Sequence, residues 1–143
     1  MNLFVLAVDF DGTLCENAWP KIGEPKEEVI RYVKARQEHG AKLILWTNRV
    51  GKVLDEAVEW CRKQGIIFDA VNENLPEFVR YFGTDPRKIF ASEFLDDRAI
   101  SLNDILPMED EFVKCPLNGK TYQYDNKKHI CPCCGNIHEK DKI

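Results

Sequence analysis

The chain has 143 residues, 44% apolar and 31% charged, with a formal net charge of −4. That length supports a single packed domain with at most a small appendage. The acidic balance disfavours a broad nucleic-acid-binding surface, and the longest early apolar run, Leu3 to Val8, is too short to span a membrane and lacks a basic leader.

Charge is unevenly spread. Residues 1–111 carry 14 basic and 21 acidic side chains, net −7, whereas residues 112–143 carry 6 and 3, net +3. The change marks a boundary near Phe112, between a core at 1–111 and a tail at 112–143. A basic tail can meet an anionic partner, but such a run is more often a solvated face.

The first element is a buried strand, Leu3–Val8, and it runs into Asp9-Phe10-Asp11-Gly12-Thr13. Carboxylates at i and i+2 project to one side of the strand end. Gly12 allows a sharp exit and Thr13 can bond the turn. Two like charges so close repel, and a divalent cation relieves the repulsion. With a hard cation bound, one carboxylate can attack phosphorus while the other trades protons. An isolated Asp-x-Asp reads more simply as an acidic turn, so the remaining elements decide.

Residues 14–24 form only a short connection. A helix follows from Pro25 to His39, with Val29, Ile30 and Val33 on one face, proline in the first turn and Gly40 at the stop. Lys42–Trp46 is a second strand, ending in Thr47-Asn48-Arg49. The next helix carries Val53, Leu54, Ala57, Val58 and Cys61 on one face and ends near Gly65. Ile66–Val71 is a third strand, and Asn74–Phe82 a short helix with Pro76 in its first turn. Lys88–Leu95 is a fourth strand, closing at Asp96-Asp97, and Ala99–Leu102 is a candidate fifth. This alternation predicts an α/β fold, a parallel sheet with helices on both faces. Ligands in such sheets bind beyond the carboxyl ends of the strands. Asp9, Asp11, Thr47, Asp96 and Asp97 all fall at those ends.

The set Asp9-x-Asp11-Gly12-Thr13, then Thr47, Lys88 and Asp96-Asp97, in that order over residues 1–105, resembles the haloacid dehalogenase superfamily in its phosphatase branch. The resemblance implies a Rossmann-like three-layer sandwich around a central parallel sheet. It also implies a magnesium-dependent phosphatase working through an aspartyl phosphate. Asp9 would be the nucleophile and Asp11 the acid and base. Magnesium would be held by Asp9, Asp96 and the backbone carbonyl near Asp11, with Asp97 orienting metal waters or Lys88. Thr47 and Asn48 would bond the phosphoryl oxygens, and Lys88 would neutralise negative charge. Taken singly, Thr47 is a strand-end hydroxyl, Lys88 a surface lysine and Asp96-Asp97 a capping turn. The carboxylate at Asp11 argues against the dehalogenase branch, which lacks it.

Members of that superfamily often carry a cap domain. The short segment 14–24 and the two helices and one strand between Thr47 and Lys88 leave no room for one, so a capless member is expected. An open mouth can admit a bulky phosphorylated substrate, or be covered by a second subunit of a homo-oligomer or by the tail. Trp19 and Lys21 lie where the family places its flap and are candidate substrate contacts, although Trp19 fits core packing equally well. Arg49 is a candidate clamp for an anionic group. Asn72-Glu73-Asn74 could line the mouth, but helix capping is the simpler account.

Six cysteines do not argue for secretion here, because four cluster in the tail. Cys15 and Cys61 read as bystanders. Cys131-Pro-Cys-Cys134-Gly has zinc-knuckle spacing, and Cys115, Cys131, Cys134 and His138 form a candidate structural zinc set. Cys133 or His129 could replace one ligand, and a disordered basic tail with free thiols is the competing account. The leading expectation is a cytoplasmic phosphatase with magnesium and a structural zinc. The alternatives are a nucleic-acid end-processing phosphatase, or a zinc-tail binding module on a hydrolase scaffold.

Overall fold

The computed structural model describes residues 3–105, 112–114, 117, 119 and 121–123. The candidate zinc ligands Cys115, Cys131, Cys134 and His138, with Cys133 and His129, lie outside the described residues. The chain forms two compact units, Met1–Ala99 and Ile100–Ile143.

In the first unit, β1 (Val5–Val8) is followed by the hairpin strands β2 (Cys15–Ala18) and β3 (Lys21–Pro25), then α1 (Glu27–Glu38) and β4 (Lys42–Leu45). After these come α2 (Gly51–Lys63), β5 (Ala70–Val71), α3 (Pro76–Phe82) and β6 (Glu93–Leu95). The second unit holds α4 (Leu102–Ile105) and the antiparallel pair β7 (Phe112–Lys114) and β8 (Thr121–Gln123).

The central sheet has the order β5-β4-β1-β6, and every pairing in it is parallel. All four residues of β1 are buried. Their side chains alternate between two cores, as the period of a strand requires. Leu6 and Val8 join Leu43 and Leu45 under Ile30 and Val33 of α1 and Ala57 and Cys61 of α2. Val5 and Ala7 join Ile44, Ala70, Leu75 and Ile89 on the opposite face, with Phe78 of α3 against them. Helices therefore cover both faces, which is the expected α/β arrangement.

Several elements differ from the sequence reading. The first helix starts at Glu27 because Pro25 ends β3. The strands expected at 66–71 and 88–95 shorten to Ala70–Val71 and Glu93–Leu95. Ile66 and Ile89 are buried all the same, from loop positions, so their apolarity reported core and not ladder. Ala99–Leu102 is not a strand, and Leu102 opens α4. The expected connection at 14–24 is instead the β2–β3 hairpin, with a cis peptide between Trp19 and Pro20. Its strand Cys-Glu-Asn-Ala has little apolar alternation, so no period-2 pattern marks it. Among the described residues no helix is long and apolar enough to cross a membrane.

Ile44 tests the second core. It is fully buried on the face opposite α1 and α2. Ile44→Ala should lower the free energy of unfolding in urea by about 2–5 kcal/mol. A loss below about 0.5 kcal/mol, as for a surface position, would mean that this face is not packed.

Candidate active site

Parallel pairing brings the carboxyl ends of the sheet strands together. The Asp9 amide donates to Leu95 O at 2.9 Å, the Trp46 amide to Val8 O at 2.8 Å and the Asn72 amide to Leu45 O at 2.8 Å. Asp9 thus sits beside Asp96, and Thr47 beside Asn72.

The turn after β1 is tightly built. Gly12 has φ +84°, and a Cβ there would collide with the Asp97 carboxylate, 2.9 Å from its Cγ. Glycine is required both by the backbone angle and by that approach. Thr13 is buried; its hydroxyl donates to Asp9 Oδ2 at 2.8 Å and accepts from the Asp97 amide at 3.0 Å. Lys26 Nζ donates to Gly12 O at 2.8 Å and holds the turn from the start of α1. Asp9, Asp96 and Asp97 then present oxygens that all lie within 4.8 Å of one another. Such an anionic, all-oxygen set could hold a hard metal cation. Burial raises the Asp9 carboxyl to about 6, and the Asp96 charge adds to the rise, against the lowering effect of bonds from Thr13 and the Phe10 amide.

A cavity of about 350 Å³ opens here, lined by Asp9, Trp46, Thr47, Asn48, Asn72 and Asp96. A second, of about 260 Å³, shares Asp9, Thr47, Asn48 and Asp96 and adds Asp11, Asn17, Trp19, Asp97 and Arg98. Seven expected residues therefore meet at one mouth: Asp9, Asp11, Trp19, Thr47, Asn48, Asp96 and Asp97. Thr47 is positioned from both sides. Its amide donates to Asn72 Oδ1 at 2.8 Å, and its hydroxyl accepts from the Arg49 amide at 3.2 Å.

Other placements differ. Arg49 does not clamp a ligand: it is fully buried, with both oxygens of Asp11 on its guanidinium at 2.7 and 2.8 Å. Trp19 is not a core residue but is 57% exposed. Lys21 is exposed, and its backbone carbonyl accepts from Arg49 at 2.8 Å. Lys88 is exposed and lines neither cavity. Asp96 also accepts from the Arg98 amide at 2.8 Å, a local turn rather than a helix cap, because the next helix begins only at Leu102. The capping account of Asn72 fails, because it lines the cavity at φ 54° and anchors the Thr47 loop. Asparagine tolerates that left-handed angle better than most residues, and this was its sequence signal. Trp46 and Arg98 carried none. Cys15 and Cys61 are buried, and burial pushes both thiols up, Cys61 to about 12. Neither is poised as a nucleophile.

The raised Asp9 carboxyl carries a stability consequence. Without a cation the folded protein binds more protons than the unfolded chain between the ordinary 3.8 and about 6. Stability from this group is therefore present below that window and is lost as pH rises through it. In chelator, Asp9→Asn should flatten the decline in melting temperature across the window and melt higher than wild type near neutral pH. Magnesium should raise the wild-type melting temperature there and leave the variant little changed. Identical pH profiles for the two proteins would refute the account of Asp9.

No family model and no curated protein matches the chain. A solved structure does: the conserved protein coded by a locus from Bacteroides thetaiotaomicron, at 43% identity and a TM-score of 0.61, over 69% of this chain and 79% of that one. With that identity over that coverage, and the same fold, the chain belongs to the family of this conserved Bacteroides thetaiotaomicron protein.

Proposed function

We propose that the chain is a magnesium-dependent phosphatase of haloacid dehalogenase type, with a Rossmann-like core and no cap domain. One observation carries the reading. Three carboxylates, Asp9, Asp96 and Asp97, converge within 4.8 Å at the strand ends, with Asp11 and Thr47 on the wall of the same cavity. Arg98 is the cationic side chain among the lining residues. One arginine does not offset three carboxylates and a phosphate dianion, so the site calls for a divalent ion. Asp9, Asp96 and Asp97 would hold it, and when bound it supplies charge neutralisation between anionic nucleophile and anionic substrate.

In the first step an Asp9 oxygen attacks phosphorus and the bond to the leaving oxygen breaks. Asp11 gives that oxygen a proton, so an alcohol departs. In the second step water attacks the same phosphorus, the bond to Asp9 breaks, and Asp11 takes the proton that the water loses. Phosphate leaves with the enzyme restored. The Thr47 hydroxyl accepts from the Arg49 amide, which leaves its own hydrogen free to donate to a phosphoryl oxygen. The exposed Asn48 amide stands next to it on both cavity walls. The mouth between Trp19, Asn17 and Asn48 is open to solvent and suits a phosphate monoester whose alcohol extends outward.

Purified protein should release phosphate from aryl phosphates only when magnesium is added. Asp9→Asn should abolish turnover with an unchanged circular dichroism spectrum, and near-normal turnover would exclude the covalent route. Asp11→Asn should cost roughly 10²–10⁴-fold on an alkyl phosphate, and far less on dinitrophenyl phosphate, whose leaving group departs without a proton.

A further inference from the structure

Arg49 is charged, yet it heads the largest fully buried side chains of the described residues. A guanidinium has five N–H donors, and five contacts account for them. Nε donates to Asp11 Oδ2 at 2.8 Å, and Nη2 donates to Asp11 Oδ1 at 2.7 Å and to Lys21 O at 2.8 Å. Nη1 donates to Pro20 O at 3.0 Å and Val53 O at 3.4 Å. Its charge centre also lies 4.9 Å from the Phe10 ring and 5.1 Å from the Trp19 ring. One group thus joins the turn after β1, the tip of the β2–β3 hairpin and the first turn of α2.

We propose that Arg49 is a positioning residue: it sets the orientation of the Asp11 carboxylate and ties it to the seating of the β2–β3 hairpin. Asp11 lines the cavity with its side chain 19% exposed, so it meets substrate only in the orientation that the two-point fork imposes. The hairpin contributes Asn17 and Trp19 to the same cavity. Displacing its tip removes two acceptors, Pro20 O and Lys21 O, from the guanidinium that grips Asp11. The guanidinium must then turn to find new partners, because a buried donor without one is costly. Asp11 turns with it. A substrate that presses on Trp19 therefore alters the group that serves its leaving oxygen. The inference rests on the reading of Asp11 as the proton carrier.

The test is a double-mutant cycle on Arg49 and Asp11, read with an alkyl phosphate and with dinitrophenyl phosphate. R49K keeps the charge and loses the fork. It should lower kcat/KM for the alkyl phosphate at least about ten-fold more than for dinitrophenyl phosphate, the split expected of a misplaced general acid. In the D11N background the same change should cost no more than about two-fold on either substrate, because the residue it acts through is gone. Because loss of the fork can also cost folding, R49Q/D11N, from which both buried charges are removed together, is compared with D11N. A second readout needs no turnover: trypsin should cut after Lys21 faster in R49K than in wild type, both judged folded by circular dichroism. Equal losses on the two substrates, or an undiminished R49K effect in the D11N background, would overturn the coupling. So would unchanged cleavage after Lys21. If D11N itself shows no difference between the substrates, the reading of Asp11 falls first, and the coupling falls with it.

Discussion

Like charges are crowded at one end of a parallel sheet. β1 pairs with β6 so that Val8 lies opposite Leu95, and the next residue on each strand is an aspartate. Parallel register leaves these two no way to diverge, and Asp97 follows directly. The neighbourhood is arranged around that conflict. Gly12 is the residue whose backbone angle and missing Cβ admit Asp97. Thr13 shares its hydroxyl between Asp9 and the Asp97 amide, and Lys26 secures the turn from outside. Burial raises the Asp9 carboxyl, and the Asp96 charge adds a smaller rise.

Two residues further along the same turn the opposite solution is used. Asp11 is met by a buried guanidinium, both oxygens engaged, while Asp9 faces carboxylates. Two aspartates separated by one residue thereby occupy contrasting surroundings. The contrast depends on burying Arg49 completely, which is tolerable because all its donors are satisfied. Three of its five acceptors are backbone carbonyls of Pro20, Lys21 and Val53. Asp11 is the main stabiliser of the charge, and the hairpin and α2 satisfy the donors that remain.

The Thr47 loop is built on the same economy of partners. Asn72 turns out of β5 in a left-handed conformation, and its side chain accepts from the Thr47 amide. The loop amide of Arg49 in turn donates to the Thr47 hydroxyl. The residue that reaches the cavity and the residue that holds Asp11 thus belong to one short loop, so the two sides of the site are set by a single backbone path.

Much of this was legible in the chain itself. The alternation of apolar strand and amphipathic helix determined an α/β fold, because parallel strands need long crossovers and two covered faces. The positions of Asp9, Asp11, Thr47, Asp96 and Asp97 near strand ends followed from local pattern alone, since each lies at or just beyond the end of an apolar run in the sequence. What the pattern could not decide was partnership across the fold. Arg49 read as a free cation beside Thr47, because nothing in its neighbours shows that Asp11, 38 positions away, would claim it. The β2–β3 hairpin was invisible because Glu16-Asn17-Ala18 lacks strand periodicity, and its tip is held by Arg49. Ile66 and Ile89 read as strand because burial, not a hydrogen-bonded ladder, selects their side chains. Local sequence specifies which face of an element is apolar. Which buried donor meets which acceptor is settled only when the elements pack, because that choice minimises unsatisfied polar groups over the whole fold.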